Sequence, residues 1–142
     1  MKKILIIHNK YRNIGGEDVA VQNEINFLKK YYDVKVLYFD NIIKPKSYIK
    51  QIISFLLNSN KESIKLTKIV IEDFQPDLVY VHNTWFKASV GIFKLLKKNN
   101  IKTFIKVHNF RYDCTRSYFI KNHLKQNKIC PACGLQFQKF KV

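Results

Sequence analysis

The sequence is short of acidic side chains, of cysteine and of long apolar runs, and each shortage removes a class of protein. Asp and Glu number 10 against 26 Lys and Arg, a formal charge of +16. The surface must therefore attract anions, whether nucleic acid, anionic lipid or a phosphorylated substrate. The basic residues occur at most in pairs, as at Lys2-Lys3, Lys29-Lys30 and Lys97-Lys98. No basic block or recognition module accompanies the charge, so nucleic acid is the weakest of these partners. The cysteines are 3 in number, Cys114, Cys130 and Cys133, too few and too late in the chain for a secreted disulfide framework. Met1-Lys2-Lys3 before Ile4 to Ile7 imitates a signal peptide, but the apolar run is too short and no cleavage site follows. No later run approaches the length of a membrane span, and a cytoplasmic protein is expected. A serine nucleophile elbow and a carboxylate pair suited to glycoside hydrolysis are both missing, which disfavours hydrolases.

What is present suffices for one folded domain. In 142 residues, 46% are hydrophobic and 14% aromatic, enough to bury a core and too much for a disordered chain. Three apolar runs end in the same dipeptide: Ile4 to Ile7 in His8-Asn9, Leu78 to Val81 in His82-Asn83, and Phe104 to Val107 in His108-Asn109. With Val34 to Phe39 they give four strands alternating with helices, which predicts a parallel, doubly wound α/β sheet. A helix after Gly15-Gly16 carries Val21, Ile25, Leu28 and Tyr32 on one face. A second follows Ser59-Asn60 with Leu66, Ile69, Val70 and Phe74 apolar, and a third runs from about Trp85 to Lys98. Between the second strand and Ser59, the stripe Ile49, Ile52, Ile53 and Leu56 reads as a helix packed on its own sheet. The alternative is a helix lying on a membrane surface.

If the strands are parallel, the three His-Asn pairs share the carboxyl edge of the sheet, where open α/β folds bind ligands. Of the histidines, His108 is best placed for chemistry, since Asn109 and Arg111 follow it and can orient and charge-balance a sugar or phosphate. Gly15-Gly16 stands between a strand and a helix, where bare backbone N–H groups can approach a phosphate. It lacks the Gly-x-Gly-x-x-Gly pattern of dinucleotide folds, and a plain turn is the competing reading. Cys130-Pro-Ala-Cys133 has zinc-knuckle spacing that Cys114 and His123 could complete. Those two outer spacings are irregular, and we carry unmetallated thiols and no cofactor as the expectation.

Taken together, these blocks resemble the N-terminal domain of family 4 glycosyltransferases of the GT-B fold. The resemblance is carried by His8-Asn9-Lys10-Tyr11 and Gly15-Gly16-Glu17-Asp18-Val19 with Glu24. It continues through Pro76 to Thr84 and ends in His108-Asn109-Phe110-Arg111 before the cysteines. It implies a Rossmann-like acceptor-side domain over residues 1–112, with 113–142 a cysteine-containing loop and basic tail of the same domain. It also implies a retaining transferase that moves a sugar from a nucleotide-sugar donor to a glycan or lipid-linked acceptor, as in polysaccharide or lipopolysaccharide biosynthesis. Gly15, Gly16 and Glu17 would then lie near the donor diphosphate, His108 would face the donor sugar, and His82, Asn83, Asn109 and Arg111 would line the acceptor side. No metal is needed in this fold, where cationic groups and helix dipoles support the departing phosphate. Members carry a second Rossmann-like domain with most of the nucleotide contacts, so this half is expected to need a separate domain or subunit for activity. Peripheral contact with the inner face of the membrane is compatible with that role. The alternative function is a non-enzymatic basic module for anionic membrane or nucleic acid.

Overall fold

The computed structural model describes residues 1–10, 15–40, 49, 53–54, 57, 59–84 and 87–108. The chain divides into a unit Met1–Lys106 and a unit Val107–Val142, and the fold described is that of the first. Its elements are β1 (Lys3–Lys10), α1 (Gly16–Leu28), β2 (Asp33–Asp40), α2 (Lys61–Phe74), β3 (Leu78–Asn83), α3 (Gly91–Lys98) and β4 (Lys102–Ile105). The strands form one parallel sheet in the order β2-β1-β3-β4. The expected α/β architecture, with helices on both faces, is the one observed.

Period-2 alternation along the strands builds two separate cores. Ile4 and Ile6 of β1 face α1, where they meet Val21 and Ile25 together with Val34, Val36, Leu78 and Tyr80. Leu5 and Ile7 face the other way, with Val79, Val81 and Phe39, onto Ile71 of α2 and Ile92 and Leu96 of α3. The hand of parallel crossovers explains the division of helices. The chain steps one way from β1 to β2 and the other way to β3 and β4, so the crossover helices fall on opposite faces.

The buried face of α2 follows the expected apolar stripe only in part, with Val70 and Phe74 packed against the core. Leu66 and Ile69 are exposed, and the buried positions are Ser63, Thr67 and Ile71, a spacing of four. The hydroxyls are satisfied locally: Ser63 Oγ lies 2.6 Å from the Ala88 carbonyl, and Thr67 Oγ1 donates to the Ser63 carbonyl at 2.7 Å. Small residues are needed because the loop into α3 passes close by. A Cβ on Gly91 would stand 2.9 Å from Ser59 Oγ and 3.2 Å from its Cα. Asn60 caps α2, its Oδ1 accepting from the N–H groups of Glu62 and Ser63.

Helix α3 is shorter than its apolar pattern suggests, beginning at Gly91. Ser89 takes the left-handed conformation at φ 61, and its Oγ accepts from the Asn60 N–H at 3.0 Å, which halts the helix on its N-terminal side. Strand β4 ends at Ile105, with Phe104 and Ile105 half exposed along the sheet edge. In the segment expected to pack on the sheet, Ile49, Ile53 and Leu57 are exposed, at 74%, 50% and 68%. Leu57 N–H bonds the Ile53 carbonyl as in a helical turn, while Ile52 and Leu56 lie outside the described residues.

Candidate functional site at the carboxyl edge

Because β2 and β3 flank β1 on opposite sides, the strand order reverses between β1 and β3. That is the switch point at which open α/β sheets form a ligand crevice. The two strands bring their His-Asn endings together there, with a register shift after Ile7 that pairs His8 with Asn83.

The alternation that sorts the core also sorts these endings. Asn9 is fully buried on the α2–α3 side, and its Oδ1 accepts from the backbone N–H groups of Lys87 and Ala88, both at 3.0 Å. Asn83 Nδ2 donates to the Asn9 carbonyl at 3.3 Å. Asn9 therefore latches the loop into α3 against the sheet, and Asn83 ties the end of β3 to the end of β1. His8 and His82 turn to the α1 side, both buried, with ring centroids 6.3 Å apart.

Helix α1 supplies a carboxylate to each imidazole. Asp18 Oδ1 lies 2.9 Å from His8 Nε2, and its Oδ2 accepts from the Gly15 N–H at 2.9 Å. One side chain thus ties the glycine turn to the end of β1. Glu24 Oε2 lies 3.6 Å from His82 Nε2, while its Oε1 holds the Lys106 ammonium. Tyr80 packs on the His82 ring at 4.3 Å between centroids, and the Lys10 ammonium sits 3.9 Å above the Tyr38 ring. Burial raises the Tyr38 hydroxyl above its ordinary pKa, and the charge of Asp18 adds to that; burial alone raises Tyr80.

Gly15 is the N-cap of α1 and Gly16 its first residue. Among the described residues, no heavy atom beyond its own chain neighbours and helix backbone lies within 4 Å of where a Gly16 Cβ would stand, which leaves room for a ligand to approach the backbone there. Glu17 and Asp18 occupy the same first turn and already complement the positive helix end. A phosphate would share that end with two carboxylates. His8 Nδ1 is buried and has no hydrogen-bond partner among the described residues.

Of the residues singled out in the sequence, Gly15, Gly16, Glu17, His82 and Asn83 come together at this edge. His108 is half-buried and belongs to the second unit. Asn109, Arg111, Cys114, His123, Cys130 and Cys133 lie outside the described residues. Among the described residues, no three His, Cys, Asp or Glu side chains gather as they would around a metal ion, and no helix is long and apolar enough to cross a membrane. The sequence reading placed His8 at this edge without giving it a role and passed over Asp18, Glu24, Lys106 and Tyr38 as site residues. The signal for His8 was its parity with Ile4 and Ile6, which fixes its face. Comparison with protein-family models, with curated proteins and with solved structures found no match.

Proposed function

We propose that this chain is the acceptor-side half of a retaining glycosyltransferase, taking a sugar from a nucleotide-sugar donor to a glycan or lipid-linked acceptor. The observation that carries the reading is the pairing of His8-Asn9 with His82-Asn83 at the switch point, beside a helix whose first residues are glycine. Open space at Gly16 supports an approach of the donor diphosphate to the backbone. In this reading the Asp18–His8 and Glu24–His82 pairs hold the imidazoles in place, and His108 supports positive charge developing on the donor sugar. A second domain supplies most of the nucleotide contacts.

The exposure of Ile49, Ile53 and Leu57 on a strongly basic chain favours peripheral contact with an anionic membrane, which suits a lipid-linked acceptor. The test of the transferase reading is His108→Ala in an enzyme completed with a second domain. Turnover should fall about 10²-fold with an unchanged melting temperature. Full turnover, or a large loss of stability in its place, would remove His108 from the reaction.

A further inference from the structure

Among the described residues, the sheet face that carries α1 is only partly covered. Over β1, β3 and β4 it leaves a groove of about 870 Å³ whose floor is Ile4, Leu28, Leu78 and Phe104, with Tyr32 and Tyr80 at its sides. That volume is typical of small-molecule pockets, which are mostly apolar with a few polar groups. Parallel sheets are normally covered on both faces, and a helix is the usual cover. The residues of β4 on this side are unsuited to one. They are Lys102 and Phe104, with Lys106 just past the strand, and a dry cover would bury ammonium groups, at a high cost unless they are paired.

Only one of these cations is already matched. Lys106 is held by Glu24, whereas Lys2 and Lys102 pair with no carboxylate among the described residues. Asp77, the one acid lining the groove, takes the backbone N–H of Lys3 at 2.7 Å. An apolar lining therefore ends at the amino edge of the sheet in two cations with no carboxylate partner among the described residues, the Lys102 ammonium lying 5.5 Å from the Phe104 ring.

We infer that this groove binds an anionic amphiphile, its phosphate head at Lys2 and Lys102 and its hydrocarbon chain over Leu78, Tyr80 and Phe104. Identifying that amphiphile with the lipid-linked acceptor rests on the transferase reading. Binding of the amphiphile itself does not.

The test is calorimetric titration of the full chain with decyl phosphate below its micelle concentration, alongside decanol and inorganic phosphate. Circular dichroism confirms that the fold persists. Decyl phosphate should bind saturably at one site, with decanol and phosphate each roughly tenfold weaker or worse. Lys102→Glu should weaken it roughly tenfold, as should Phe104→Ser. Lys65→Glu makes the same charge change on exposed α2, against the other sheet face, and should have little effect. Equal loss in Lys102→Glu and Lys65→Glu would reduce the effect to net charge and overturn the inference. Equal binding of decanol would also overturn it and indicate an apolar face awaiting a protein partner. Neither result depends on nucleotide binding, so the transferase reading stands or falls separately.

Discussion

Asn9 and His8 are neighbours in sequence with opposite duties, and the difference is measurable residue by residue. Asn9→Ala leaves the N–H groups of Lys87 and Ala88 buried without their acceptor. We expect a loss of about 2–4 kcal/mol in chemical denaturation. Asp18→Asn weakens both its contact to His8 and its cap on Gly15, and should cost about 1–2 kcal/mol; no loss would mean the pair is incidental. The tyrosines give a pH dependence. Their folded pKa values are raised, so the native state keeps its protons after the unfolded chain has lost them. This contribution is complete below the unfolded value near 10 and is lost as pH rises above it. Tyr38→Phe should therefore flatten the alkaline fall in stability, while an unchanged alkaline limb would contradict the assignment. His8, Asp18 and Glu24 were not legible as a cluster in the sequence, because only the register of α1 on the sheet brings them together.

At the scale of elements, the strands were legible and the helix ends were not. Continuous apolar runs marked β1 and β3 to within about two residues, since burial on both faces leaves no ambiguity. The apolar pattern overstates α3, because the Asn9 side chain accepting from the N–H groups of Lys87 and Ala88 and the left-handed Ser89 hold Lys87 to Ser89 in another conformation. The stripe on α2 holds for Val70 and Phe74, which pack against the core, and fails for Leu66 and Ile69. Ser63 lies inside because the Ala88 carbonyl before α3 accepts from its Oγ, and Gly91 at the start of α3 comes close to Ser59 and Ile64. Gly91→Val should accordingly cost about 1–3 kcal/mol by overpacking. Gly16→Ala, with open space around it, should change stability by less than about 1 kcal/mol. Equal effects at the two glycines would contradict the packing described.

For the whole molecule, a charge of +16 sets solubility and the choice of partners but not the fold. Parallel topology and two of the three expected strand endings, His8-Asn9 and His82-Asn83, could be read from the residues, while β4 stops at Ile105, short of His108; the division of the asparagines and histidines between two faces required the register. The central claim is that the glycine turn beside the β1–β3 switch point receives the phosphates of a nucleotide-sugar. The most direct measurement is a titration of the chain with UDP, GDP and their sugar conjugates, followed through the backbone amide resonances and repeated with Gly16→Val. The account predicts weak binding of one nucleotide, with Kd on the order of 1 mM. The Gly15, Gly16 and His8 amides should shift most, and the response should be lost in the valine variant. Shifts that avoid the glycine turn, or the same affinity in Gly16→Val, would contradict it.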